Sequence, residues 1–538
     1  MEDKMKTYKK TNKIKSTLIN SLLLSVGLLN INASANVEPA SLFTNNMVIQ
    51  QQTNAAVWGK ADPKEKIIIT ASWGESISTV ANKLGYWQAT LPTPIAEKNN
   101  PKPYTIEFKG KNTVVINNVQ VGEVWLASGQ SNMSYSIDRL KIPRDQIGAI
   151  NFPYIREFKV KKNASITPVD NAVGQWISAN EDSVLNFSGT AYFFAREIHQ
   201  ATGLPVGIVN SSWGGTQIET WLSKDSQLNH QSTQKIKADF DKKALTFSTK
   251  QSTKIYQKQL KDWQTDKKNA ETNGKLFTKR KPYLPEHPHA GKNYPSNLYN
   301  GMINPIKGYT VKGVIWYQGE NNGKSAERGS FYQTQLTQLI NDFRVDWNIP
   351  NLPFYVVQLA NFKKAQSNPV EPNQYWPYVR ESMRKVTDTL KNTDMVVTID
   401  IGDADNIHPT NKMELGRRLS LFALKNEYNR DIIASGPKFQ SAEIKGNKMI
   451  LTFSEVGSGL ATDDGQRLAG FVMAESNGEY IWANAEIIPG IKNNTQQVEI
   501  SSPRINKPTS IKYGWANNPN MLNLYNKEGL PASPFSTQ

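Results

Sequence analysis

A chain of 538 residues without a single cysteine has no disulfides, no thiol nucleophile and no cysteine-ligated metal. Its 38% hydrophobic content, 10% aromatic content and 13 Trp exclude a disordered chain and provide for two or three domains. The formal charge of +16 suits a solubilising surface or attraction to acidic glycans better than nucleic-acid binding.

The first 35 residues read as an export signal. Lys4, Lys6, Lys9, Lys10, Lys13 and Lys15 form a basic start, an apolar run follows from Leu18 to Leu29, and Ala33-Ser34-Ala35 offers a small-residue cleavage site. Asn20, Ser21 and Gly27 interrupt the run, which is too short to span a bilayer. The expected location is therefore periplasmic or extracellular, without stable membrane insertion.

Residues 36–118 contain short β-branched and aromatic runs separated by Gly, Pro and Asn, among them "MVIQQQTNAAVWGK", "KIIITASWG", "YTIEF" and "NTVVINNVQV". This spacing predicts a small β-sandwich-like domain. From 119 to 435 apolar strands alternate with helical periodicity. The strands are "EVWLAS", "VGIVNSSWGG", "VKGVIWYQGE", "FYVVQLANF" and "MVVTIDIGD". Between them, Ala191, Phe194, Ala195 and Ile198 share one helix face. So do Tyr332, Leu336, Leu339, Ile340 and Phe343, then Trp376, Val379, Met383, Val386 and Leu390, and finally Leu415, Leu419 and Phe422. The pattern predicts an α/β domain with a parallel five-stranded sheet flanked by helices. A Lys- and Gln-rich stretch at about 229–294 reads as a partly helical polar insertion. Strand patterns return over 436–538 and predict a C-terminal β domain.

In such sheets reactive groups gather where strands end. The first strand ends at Gly129-Gln130-Ser131-Asn132, where Gly129 permits a tight turn and Ser131 is a candidate nucleophile. A helix starting at Asn132 and Met133 would aim N–H groups at a developing oxyanion. Of five histidines, His199 sits inside a predicted helix, and His230, His287 and His289 lie in the polar insertion. His408 follows the fifth strand, three residues after Asp405, so one turn of chain can present carboxylate and imidazole together. A cation site at Asp400, Asp403 and Asp405 is the competing reading, but the stretch lacks the Gly and distal Glu of an EF-hand loop. Gly214 and Gly215 after the second strand, and Gln318 and Asn321 after the third, are candidate oxyanion donors. Asn132, Trp213 and Glu320 are candidate substrate contacts.

At these four ordered blocks the sequence resembles the SGNH (GDSL-like) hydrolases, and more closely the sialate O-acetylesterase family of carbohydrate esterases. The resemblance rests on "GEVWLASGQSNM", "SSWGGTQIETW", "LYNGMINPIKGYTVKGVIWYQGENN" and "IGDADNIHPTNKMELGRRL", with "NLYNKEGLPASPF" matching the family's ending. It implies an SGNH-hydrolase-like sheet and a triad of Ser131, His408 and Asp405. It also implies an oxyanion hole drawn from Gly215 or Gly214 and the third block. One departure stands out: the usual third block is G-x-N-D, whereas this chain has Gln318-Gly319-Glu320-Asn321. The implied activity is removal of O-acetyl groups from carbohydrates, with acetylated sialic acid favoured and acetylated xylan the alternative, and it calls for no metal or organic cofactor. A non-catalytic glycan-binding protein, using the β domains and abundant Trp, is the rival from another class.

Overall fold

The strands that end at the predicted site are buried on both faces toward their carboxyl ends, because helices cover the sheet on each side. The computed structural model describes residues 36–140, 142 and 152–538, and Asn36–Gln538 forms one compact unit. The signal-like segment at 1–35 lies outside the described residues.

All five predicted strands are present, at Thr113–Gly129, Val206–Ser212, Gly313–Tyr317, Phe354–Val357 and Thr393–Val396. Val206–Ser212 and Gly313–Tyr317 flank Thr113–Gly129 in parallel register, with Ile208 and Ile315 opposite Trp125 and Ala127 respectively. Phe354–Val357 and then Thr393–Val396 extend the sheet beyond Gly313–Tyr317. The chain thus reverses its direction of sheet growth at the first strand, and the carboxyl ends on either side of that strand open a crevice.

The sheet is larger than five parallel strands. Phe152–Lys159 adds a sixth beside Val206–Ser212, and Trp176–Ala179 closes that edge antiparallel. Phe152–Lys159 escapes the periodicity because charge interrupts the apolar pattern of "FPYIREFK". Arg156 and Glu157 are nevertheless buried and paired. Arg156 donates to the Asn118 carbonyl at 2.6 Å and its Oδ1 at 3.0 Å, and Glu157 accepts from Asn210 Nδ2 at 2.7 Å. Buried charges are tolerated only when their partners are supplied in this way.

Seven α-helices are described: α1 (Ser131–Ser134), α2 (Gly189–Thr202), α3 (Gln231–Leu245), α4 (Thr249–Thr272), α5 (Ala326–Asp346), α6 (Trp376–Thr389) and α7 (Lys412–Glu427). Ser188 caps α2 by accepting from the Ala191 N–H, and Gly203 ends it in the left-handed region at φ 73°. The predicted faces of α2 and α7 meet in one core over the sheet. Those of α5 and α6 pack into the other core, which continues into the N-terminal β layers. In the insertion α3 buries only Ser232 and Thr233, and α4 buries nothing.

Thr113–Gly129 is a single strand of 17 residues. Its first half pairs with Tyr104–Lys109 of the N-terminal layers, and its second half forms the middle of the parallel sheet. Position 118, where the sequence suggests a domain end, lies inside this strand. The C-terminal strands enclose a core of their own around Phe453, Phe471, Tyr513 and Phe535. Arg380 of α6 pins that region to the sheet by donating to the carbonyls of Leu359, Ala360, Ala516 and Asn517 at 2.6–2.8 Å. Among the described residues no helix is long and apolar enough to cross a membrane.

Candidate active site

The turn at Gly129 is enforced by crowding. Gly129 has φ 135°, and a Cβ there would fall 2.1 Å from the Tyr317 carbonyl oxygen. Only glycine lets the strand turn out between its neighbours. Gln130 N–H then donates to the Tyr317 carbonyl at 2.8 Å. The N–H groups of Met133 and Ser134 close on the Gln130 carbonyl, which leaves those of Ser131 and Asn132 at the open end of a single turn. Ser188 Oγ and Thr190 Oγ1 hold the turn from α2 by donating to the Met133 and Asn132 carbonyls at 2.6 and 3.0 Å. Ser131 itself is half-buried at the surface of this support.

The second strand end brings the paired glycines against the serine. A Cβ on Gly214 would come within 3.0 Å of the Ser131 Cβ, so this close approach requires glycine. Gly215 has φ 73°. Lys292 Nζ donates to the Gly214 carbonyl at 2.5 Å, and Asn293 Nδ2 and Asn321 Nδ2 donate to the Gly215 carbonyl at 3.1 and 3.3 Å. These bonds fix the orientation of both peptides, and with it the direction of their N–H groups.

His408 reaches the same place from the fifth strand end. Its ring stacks on Tyr135, with centroids 4.8 Å apart and planes 20° apart. Tyr135 immediately follows the turn that carries Ser131, and Asn132 Nδ2 donates to the Ile407 carbonyl at 3.1 Å. The nucleophile turn and the histidine loop are therefore joined on both sides. Burial, Lys412 and Arg139 hold the imidazole pKa below its usual value, which keeps the ring neutral and able to accept a proton.

Among the described residues no hydrogen bond links Ser131 Oγ with the His408 ring, or that ring with Asp405. The Asp405 carboxylate is exposed. Asp403 Oδ1 accepts from the N–H groups of Asp405 and Asn406 at 2.9 and 3.2 Å, and Asn406 Oδ1 accepts from the His408 N–H at 3.0 Å. These side-chain turns set the backbone of the loop and leave the Asp405 side chain in solvent. Asp400 is committed elsewhere: Arg418 grips it through two hydrogen bonds of 2.7 and 2.6 Å, and Tyr525 donates to it at 3.2 Å. The run of aspartates thus builds a loop and an ion pair.

Three expected contacts take other roles. Gln318 is fully buried, and its amide nitrogen faces the Asn322 Oδ1, the Thr216 carbonyl and the Gln130 Oε1 at 2.9, 3.1 and 3.3 Å. Its hydrogens are spent on these acceptors, so it braces the three strand ends and has no N–H left for an oxyanion. Asn132 and Glu320, read from the sequence as substrate contacts, are also buried. Asn132 Nδ2 donates to Glu320 Oε1 at 2.5 Å and its Oδ1 accepts from Lys412 Nζ at 2.9 Å. One amide thereby separates a buried ammonium from a buried carboxyl. Burial pushes the Glu320 pKa up and brings that of Lys412 down to about 7. Lys412 also lies 4.8 Å from the Tyr317 ring centroid. This lysine leaves no local mark in the sequence and reads as an ordinary polar first residue of α7. Asn321 and Trp213 are only partly buried beside the glycines.

Of the remaining histidines, His199 Nδ1 contacts the Leu204 carbonyl at 2.6 Å and His289 pairs with Asp241 at 2.8 Å.

A hydroxyl at a constrained strand end, a neutral imidazole and oriented glycine peptides in the crevice of a parallel sheet define a hydrolase site. The relatives place it: the chain is a carboxylic ester hydrolase. Residues 121–274 and 286–425 match the family described as carbohydrate esterase, sialic acid-specific acetylesterase, and the chain belongs to this family. It is 25% identical to the mouse sialate O-acetylesterase over 466 residues, covering 80% of this chain and 81% of that one. The human sialate O-acetylesterase is 25% identical over 447 residues, 77% of this chain and 76% of that one. The crystal structure of a carbohydrate acetylesterase from Xanthomonas citri superposes with a TM-score of 0.75 at 30% identity, covering 93% of this chain and 99% of that one.

Proposed function

We propose that this protein is an exported serine esterase that removes O-acetyl groups from carbohydrates, with O-acetylated sialic acid as the favoured substrate. The observation that carries the reading is the stacking of His408 on Tyr135, which brings a neutral imidazole to the turn that bears Ser131.

His408 takes the Ser131 proton as Oγ attacks the acetyl carbonyl. The negative charge that develops on the carbonyl oxygen is met by the N–H groups of Ser131 and of Gly215 or Gly214, with Asn321 as the third donor. The tetrahedral adduct collapses, the C–O bond to the sugar breaks, and His408 returns the proton to the departing alcohol. Water then attacks the acetyl-serine, losing a proton to the same imidazole, and acetate leaves as Ser131 recovers its hydrogen. Asp405 completes the triad by turning from solvent onto the imidazole once substrate is bound; catalytic hydrogen bonds often tighten only in the complex. The catalytic region is 119–435, framed by the N- and C-terminal β regions, and residues 1–35 direct export.

The test is acetate release from a panel of acetylated sialic acids and acetylated plant glycans, by wild type and Ser131→Ala. The expected result is sialate hydrolysis that falls at least about a thousandfold in the variant. Preference for xylan acetates would overturn the substrate assignment alone. Equal rates in the two proteins would overturn the mechanism.

A further inference from the structure

A cavity of about 550 Å³ opens beside the glycine pair. Its wall includes Trp213, Phe240, Tyr283, His287, Lys292 and Asn293. All but Trp213 belong to the polar insertion, whose long helix α4 buries nothing in the fold. Trp213 directly precedes Gly214, where an added Cβ would fall 3.0 Å from the Ser131 Cβ. The cavity therefore begins one residue from the glycines at the nucleophile, on a surface the core does not need.

Its charge is one-sided on the inner wall. Lys292 is partly buried, with its Nζ 5.6 Å from the Trp213 ring centroid and bound to the Gly214 carbonyl. A carbonyl does not neutralise an ammonium, and among the described residues no carboxylate pairs with Lys292. Burial, and after it the charge of Lys162, holds the Lys292 pKa below its usual value. The acid on the cavity wall, Glu286, is exposed to water. A desolvated cation beside an aromatic ring is a site for an anionic group on a ring-shaped ligand.

We propose that this cavity is the subsite for the leaving sugar, with Trp213 as the stacking face and the Lys292 ammonium as the partner of a carboxylate on that sugar. The proposal rests on the esterase reading of Ser131. It makes the insertion the part of the chain that selects acidic acetylated sugars over neutral ones.

The test uses the full chain as wild type, Lys292→Gln, Lys292→Arg, Trp213→Ala and Tyr283→Ala. Each is assayed on an O-acetylated sialic acid, an acetylated methyl glucoside and p-nitrophenyl acetate. In Lys292→Gln the ratio of kcat/KM for the acidic over the neutral sugar falls about tenfold or more, through KM, and Lys292→Arg restores much of it. Trp213→Ala and Tyr283→Ala lower kcat/KM on both sugars by about three- to tenfold relative to the aryl acetate. The proposal is overturned if the acidic-to-neutral ratio is unchanged in Lys292→Gln. It is equally overturned if the sugars and the aryl acetate fall in parallel in every variant, since Lys292 would then merely brace Gly214. Tyr283 is exposed, so its variant keeps the wall testable if a lysine variant fails to fold. A wild type inert on the aryl acetate would instead sink the esterase reading.

Discussion

Tyr135 and His408 lie face to face, 4.8 Å between ring centroids, and Arg139 stands 5.8 Å from the Tyr135 centroid on the same stack. The tyrosine shields one face of the imidazole from water and fixes its plane. Tyr135→Ala is expected to lower kcat about tenfold. Hydration would also return the His408 pKa toward its ordinary value, so the acid limb of the pH–rate profile moves to higher pH. A profile with an unshifted limb would show that the ring is held by something else.

Lys412 acts on the same limb from beneath. Its pKa of about 7 leaves it charged in the range where His408 titrates, and that charge disfavours a second cation nearby. In Lys412→Met the imidazole binds a proton more readily, its pKa rises, and activity is lost at a higher pH than in wild type. The Asn132 side-chain Oδ1 also loses its donor, at a cost of about 1–3 kcal/mol in unfolding free energy. The pH–rate profile and a urea titration read the two effects separately.

Asp405 and Asp403 should separate by what they change. The Asp405 carboxylate makes no bond among the described residues, so Asp405→Asn leaves the melting temperature where it is. It lowers kcat by about a thousandfold if the residue orients His408 during turnover. Asp403→Ala removes the acceptor of two N–H groups and costs about 1–2 kcal/mol of stability. An Asp405→Asn enzyme within threefold of wild type would remove it from the triad.

Gly129→Ala tests the turn. The added methyl meets the Tyr317 carbonyl oxygen, and φ 135° is unsuited to a side chain. The expected loss exceeds about 2 kcal/mol and is accompanied by loss of acetate release, because relief of the clash displaces Ser131. A fully stable, fully active variant would show that the neighbouring strand yields.

The readable parts of the sequence were those where burial follows a simple period. The faces of α5, α6 and α7 carry Leu336, Ile340, Val379, Met383, Leu415 and Leu419 inside, as their spacing requires. Gly129 leaves its mark at a strand end, whereas the Asp405–His408 contact that the Asp-x-x-His spacing suggests is not made in the structure. The strand at Phe152–Lys159 was not legible, since Arg156 and Glu157 are buried by partners distant in the chain. The same reason hid Lys412: no local pattern says that a lysine will find an asparagine 280 positions away. Gln318 reads as an oxyanion donor because an amide at a strand end looks the same whether it faces a ligand or three internal acceptors.

The strand Thr113–Gly129 ties the amino-terminal layers to the nucleophile as one continuous rod. Cutting the chain between those layers and the catalytic region would split the rod and strip pairing from half its length. The smallest active fragment must therefore begin near the start of the β layers, and homologues that exchange this region for another module would have to rebuild the first half of the strand as well.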